Sequence, residues 1–142
     1  MSYTPYSPQH AAHINHILSQ GFAVGGIDGF YVAEVNPNNV RCVLPFQAHH
    51  LRPGNTISGP TMMALADAAM YVILLSLDEK NTNSVTRDFQ IHFLSRPAAQ
   101  DLVAVAHLIK DSAKHTLMRV DIFSNDKLVA HVTGSYAKGA YI

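Results

Sequence analysis

One carboxylate stands inside the most apolar stretch of the chain, S-G-P-T-M-M-A-L-A-D-A-A-M-Y-V-I-L-L, from Ser58 to Leu75. An isolated ionised Asp is costly to bury, so Asp67 either reaches a wet surface or marks a working site. As a working group it would act as a general base or as a nucleophile. Upstream, Ser58-Gly59-Pro60 has the composition of a helix start. The first N–H groups of a helix lack intrahelical acceptors, and the macrodipole adds partial positive charge, so developing negative charge is stabilised there. Gly59 has no side chain to obstruct an approach, which makes its amide the candidate donor, whereas Pro60 has no amide hydrogen. Eight helical residues at ~1.5 Å each separate Gly59 from Asp67 by roughly 12 Å. One reacting carbon cannot lie within ~3 Å of both groups on a single helix. If both act on one substrate they come from two chains, which predicts an obligate dimer.

The elements that must hold these residues follow from turn signals and periodicity. Ser7-Pro8 reads as an N-cap with Pro at the first helical position, Ala11, Ile14, Ile17 and Leu18 recur at helical spacing, and Gly21 ends that helix. After Gly25-Gly26, Gly29–Val35 and Val40–Pro45 read as two strands around the turn N-P-N-N, and Gln47–Ile57 reads as a polar loop. The apolar helix starts at Ser58-Gly59-Pro60, with Pro60 at its first position, and stops near Asp78-Glu79-Lys80. Four extended segments follow, Ser84–Leu94, Leu102–Lys110, Thr116–Ser124 and Leu128–Ala137. In the third, Leu117, Arg119, Asp121 and Phe123 alternate with Met118, Val120 and Ile122, and Asn125-Asp126 supplies a hairpin turn. A helix apolar on all sides must be wrapped nearly completely. The expectation is an α+β chain in which one antiparallel sheet of about six strands curves around one long central helix, with an extra N-terminal helix.

Composition bounds the function. The 142 residues suit one domain, with the N-terminal helix over about residues 8–20 and the core over about 28–138. Apolar residues make up 48% against 14% charged, which points to a folded chain with some apolar surface covered by another subunit. Lys plus Arg balance Asp plus Glu at ten each without a basic stripe, so nucleic-acid binding is not indicated. The single Cys42 excludes an internal disulfide, and the N-terminus M-S-Y-T-P-Y-S-P-Q-H lacks a basic region followed by an apolar run, so a cytoplasmic location is expected. The run Thr61–Leu77 is slightly short for a comfortable membrane span and contains Asp67, which favours a core helix over a membrane one. The pair His49-His50 suggests a metal, but no further ligand cluster has the spacing of a site, and no metal is assigned.

The run I-S-G-P-T-M-M-A-L-A-D-A-A resembles the hotdog-fold acyl-CoA thioesterases of the phenylacetate-pathway (PaaI-like) type, whose central helix opens with H-G-G and carries an acid nine residues after that His. Ser58 stands at the His position, Gly59 and Pro60 at the two Gly positions, and Asp67 at the acid. The block V-T-R-D-F-Q-I-H-F-L-S-R-P-A resembles the strand after that helix, and L-V-A-H-V-T-G-S-Y-A the last strand, so the likeness spans roughly residues 36–137. It implies a single hotdog domain and hydrolysis of an acyl-CoA thioester to free acid and CoA without metal or bound cofactor. It also implies homodimers with continuous sheets and sites between subunits, extending to homotetramers, with no nucleic acid or membrane as partner. The helix N-terminus then becomes an oxyanion hole, and Asp67 attacks the carbonyl or activates a water.

Several positions depart from the family pattern. Ser58 can cap the helix but is not an imidazole, and whatever the second Gly donates is lost at Pro60. Arg52 replaces an Asn or Gln and would pair with Asp67 or contact a substrate phosphate or carboxylate. Thr86 is the hydroxyl placed to support the acid, and Asn55, Pro60, Met63 and Arg96 are candidates for substrate contact, Arg96 toward the coenzyme A phosphates. Met62, Met63 and Met70 read as core, with a further role in lining an acyl pocket. Two other readings stay open. F-Q-A-H-H-L-R-P-G resembles the His-bearing loop of acyl-carrier-protein dehydratases, although those place the acid about five residues after the helix-opening Gly. The hydratase signature D-x-N-P-x-H is also missing, since E-V-N-P-N-N lacks both the Asp and the His. A hotdog domain that binds acyl-CoA without turning it over is the third reading, motivated by Ser58 and Pro60.

Overall fold

In a computed structural model, which describes residues 8–20 and 29–139, the chain runs α1 (Pro8–Ser19), β1 (Tyr31–Asn36), β2 (Asn39–Leu44), β3 (Leu51–Arg52), β4 (Thr56–Ile57), α2 (Gly59–Leu77), β5 (Val85–Phe93), β6 (Leu102–Asp111), β7 (His115–Ser124) and β8 (Lys127–Ala137). Six strands form one antiparallel sheet in the order β1-β2-β6-β7-β8-β5, and α2 packs on its inner face. This is the hotdog arrangement that the sequence resemblance implies.

The alternation in β7 sends Thr116, Met118, Val120 and Ile122 inward, where all four are buried. Around the last two, the cross-strand partners are short. Ala106 and Val132 flank Val120, and Ala104 and Ala130 flank Ile122. These short side chains hollow the inner face, so that an apolar helix can approach the sheet without clash. Gly134 continues the hollow, where an added β-carbon would lie 3.0 Å from both Sδ and Cε of Met70 and 2.9 Å from the Asp88 carbonyl oxygen. The β7–β8 turn is carried by Asn125 and Asp126 at φ 53° and 66°, the left-handed pair that a two-residue hairpin requires. Asn38 at φ 67° serves the β1–β2 turn in the same way.

Helix α1 buries His10, Ala11, Ile14 and Leu18, and Asn15 clamps it to β1 by exchanging two hydrogen bonds with the backbone of Val32, at 2.8 and 2.9 Å. The proposed cap at Ser7, the stop at Gly21 and Gly25-Gly26 lie outside the described residues. Helix α2 is long and apolar enough to cross a membrane by length and composition alone, but most of it is buried inside the protein.

Two expectations are corrected. The segment 47–57 is more than a loop, because β3 and β4 form a small ribbon pairing Leu51 with Ile57 and Arg52 with Thr56. Gly54 at φ 100° and Asn55 at φ 59° turn it, and Thr56 Oγ1 donates to Pro97 O at 2.7 Å. Two-residue strands are too short to show an alternation. The wrapping of α2 is also incomplete. Pro60, Met63, Ala64 and Asp67, spaced i, i+3, i+4, i+7 along one helical face, are exposed or half-buried, while Met62, Leu65, Ala66 and Ala68 beside them are buried. Met63, 41% exposed, is therefore not a core residue.

Strand β5 is an edge. It pairs only with β8 among the described strands, and Val85, Phe93 and the following Leu94 are exposed.

Replacing Gly134 by Ala overpacks the contact between α2 and the sheet. We expect a loss of about 1–3 kcal/mol, measured as a lower urea midpoint, and an unchanged midpoint would refute the close approach.

Candidate active site

Asp67 lies on the uncovered stripe of α2, and two strands reach it from the side. Thr86 on β5 and Tyr136 on β8 are directly paired across the ladder, and both hydroxyls converge on the same carboxylate oxygen. Thr86 donates to Asp67 Oδ1 at 2.6 Å and Tyr136 to the same atom at 2.9 Å, the phenol also lying 2.9 Å from the Asp67 main-chain oxygen. No donor among the described residues reaches Oδ2. The carboxylate is thus held in one orientation, with one oxygen occupied and one available. This answers the burial problem, since Asp67 is only partly buried and its inward oxygen is hydrogen-bonded.

Tyr136 is buried, and burial first, then the negative charge of Asp67, pushes its phenol well above the ordinary value. It therefore stays an O–H donor where an ordinary tyrosine would begin to lose its proton. Tyr71, also shifted upward by burial, stacks obliquely beside it with ring centroids 6.2 Å apart and donates to Thr82 O at 2.8 Å.

The second group of residues gathers at the start of α2. Ser58 is the N-cap, with its Oγ accepting from Thr61 N–H at 3.2 Å and its own N–H donating to His50 O at 2.9 Å. Gly59 is then the first helical residue and Pro60 the second, one position later than the sequence suggests. Met62 N–H reaches Ser58 O at 3.3 Å. With Thr61 capped and Pro60 lacking an N–H, the Gly59 amide is the first-turn donor left for an incoming acceptor. Around it lies an open depression of about 460 Å³, whose lining includes Arg52, Met62, Phe93 and Arg96. A larger cavity of about 810 Å³, lined by Arg41, Phe46 and Phe123 among others, contains none of the candidate residues.

The candidates therefore fall into two sets on one chain. Thr86 stands with Asp67, while Arg52, Ser58, Pro60 and Arg96 stand with Gly59. Arg52 and Asp67 form no ion pair with each other among the described residues. Met63 points outward on the stripe and Met62 lines the depression in its place. Asn55 sits at the tip of the β3–β4 ribbon, outside that lining. His50 is buried and its Nδ1 accepts from Gln47 N–H at 3.1 Å, while His49 is exposed. Among the described residues no group of three or more His, Cys, Asp or Glu is placed to hold a metal ion.

Sequence reasoning missed Tyr136 and Phe93, whereas Met62 is among the methionines that it reads as core with a role in lining a pocket. Strand alternation alone puts Tyr136 on the inner face with Val132 and Gly134, but nothing linear connects it to a residue 69 positions earlier.

The shifted phenol makes stability depend on pH. Folded Tyr136 keeps its proton where an unfolded tyrosine loses it, near pH 10. Its contribution is fully present below that pH and is lost as pH rises beyond it, because the unfolded state then binds fewer protons. Wild-type urea midpoints should fall as pH rises past about 9–10, and Tyr136→Phe should make the fall shallower, with Tyr71 and the buried Cys42 thiol, both also raised by burial, supplying the remainder. Identical slopes in the two proteins would remove Tyr136 as the buried donor.

The sequence pattern of the thioesterase superfamily matches residues 54–131. That span includes α2, Asp67, Thr86 and most of the sheet. Among solved structures, a thioesterase from Haemophilus influenzae superposes with a TM-score of 0.79 at 19% identity, covering 96% of this chain and 91% of that one. A mutant of the phenylacetic acid degradation protein PaaI from Thermus thermophilus gives 0.69 at 24% identity, over 78% of this chain and 93% of that one. Zebrafish thioesterase superfamily member 2 gives 0.78 at 20%, over 91% and 98%. These likenesses show a shared fold. No curated protein matches the chain at the sequence level. With the superfamily pattern covering more than half of its length, the chain belongs to the thioesterase superfamily.

Proposed function

We propose that the protein hydrolyses an acyl-CoA thioester to the free acid and CoA in a site shared by two subunits. The observation that carries this reading is the carboxylate of Asp67, with Oδ1 held by Thr86 and Tyr136 and Oδ2 without a donor. A base or nucleophile needs such an oriented, available oxygen. As nucleophile, Oδ2 would attack the thioester carbonyl carbon, the thiolate would leave, and water would cleave the resulting anhydride to restore the carboxylate. As base, Asp67 would take a proton from water during attack and pass it to the departing thiolate. Either route builds negative charge on the carbonyl oxygen, for which the Gly59 N–H at the start of α2 is the donor.

Asp67 and Gly59 of one chain are separated by roughly 12 Å of helix, so the complete site takes Asp67 from one subunit and Gly59 from the other. The uncovered stripe of α2 and the exposed apolar edge at β5 support such a dimer, and the likeness to the PaaI type supports further pairing into a tetramer. Arg52 and Arg96, on the same depression as Gly59, offer cations for the phosphates of coenzyme A. The single cysteine suits a cytoplasmic enzyme.

Thiol release from a panel of acyl-CoAs tests the proposal. Asp67→Asn, which keeps the shape but not the basicity, should lower kcat by about 100-fold or more. Hydrolysis that survives this change, or a protein that sediments as a monomer at micromolar concentration, would overturn the two-chain mechanism.

A further inference from the structure

Phe93 ends β5 with its ring against the first residue of α2. A β-carbon built on Gly59 would lie 3.2 Å from Phe93 Cζ and 3.5 Å from Cε1, so a side chain at position 59 would crowd the ring. The backbone just beyond is pinned, since Leu94 N–H and Ser95 N–H both donate to Val129 O, at 2.9 and 3.3 Å. The ring itself remains 51% exposed and borders the depression that holds Gly59, Met62, Arg52 and Arg96. The ring therefore stands at the border of the depression beside Gly59, where it can shape what approaches that residue's amide.

We infer that Phe93 is the residue that selects the acyl group, favouring those that are flat or unbranched at the carbon next to the thioester carbonyl. The inference rests on the thioesterase reading of this site. A carbonyl oxygen accepting from Gly59 N–H brings the adjoining acyl carbon beside the ring. A methylene or an aromatic plane can lie along the ring face at van der Waals distance. A carbon bearing an additional methyl group meets the ring edge, which cannot retreat toward α2 without striking Gly59.

The test compares hexanoyl-CoA with 2-methylpropanoyl-CoA for the wild type, Phe93→Leu and Phe93→Ala. The wild type should favour the unbranched substrate in kcat/KM. Phe93→Ala should narrow that preference about tenfold or more, by raising turnover of the branched substrate, with Phe93→Leu between the two. A merely structural ring would lower both substrates in parallel, and an unchanged ratio overturns the inference while leaving the thioesterase reading intact. A second measurement does not need turnover. The chain has no Trp, so Phe93→Trp supplies its single tryptophan at this spot, excited selectively over the six tyrosines. Titration with hexanoyl-CoA should shift its emission saturably and at lower concentration than 2-methylpropanoyl-CoA does. If no acyl-CoA releases thiol from the wild type, the hydrolytic reading fails and this titration alone decides. A shift with that order of affinities then upholds Phe93 as selector of a bound acyl group, and no shift, or the same affinity for both, overturns it.

Discussion

A nineteen-residue helix that is apolar on every side has to be covered on every side, and one sheet with one added helix does not suffice. The inner face of the sheet takes most of α2, helped by Ala104, Ala106, Ala130 and Gly134, which leave room for its larger side chains. What stays uncovered is the stripe of Pro60, Met63, Ala64 and Asp67. That remainder sets the rest of the design. It allows a carboxylate to occupy an apolar helix, and it leaves one oxygen of that carboxylate without a donor among the described residues. It also leaves an apolar border on the helix, while strand β5 pairs on one side only among the described strands.

Asp67 is held by neighbours that resist ionising themselves. Thr86 has no accessible pKa, and burial raises that of Tyr136. Both therefore remain donors whatever the protonation of the surroundings, and both address Oδ1. Convergence on one oxygen leaves the other available. Had one hydroxyl reached each oxygen, the carboxylate would be equally well satisfied but neither oxygen would be left without a donor. The start of α2 shows a similar economy. Ser58 caps Thr61 and Pro60 has no donor, so Gly59 is left as the amide of the first turn able to take a ligand. The loss of a second glycine at position 60 thus concentrates the anion-binding capacity of the helix end on one group.

Much of this was legible in the linear order of residues. Alternation in Met118, Val120 and Ile122, the Asn125-Asp126 turn and the Ser58-Gly59-Pro60 helix start each carry a local signal with a direct steric cause. The α+β arrangement followed from counting one unbroken apolar helix against six amphipathic strands. Asp67 was conspicuous because charge in hydrocarbon demands an explanation, and Thr86 was named as its support through resemblance to known helices and strands. The β3–β4 ribbon escaped because two residues per strand show no period, and Met63 was misplaced because an apolar side chain gives no sign of which face of an all-apolar helix it occupies.

Sequence alone determined the two helices, the six long strands and which single residue in the central helix is chemically out of place, since helix and strand periodicity and the desolvation of a charge are local matters. Only the tertiary structure decided which oxygen of Asp67 is held, that Tyr136 holds it, and that the ring of Phe93 rests on Gly59. Those contacts join residues 69 and 34 positions apart through strand register and the depth of helix packing. Such distances are set by how the whole inner face fills, and no stretch of sequence contains both partners.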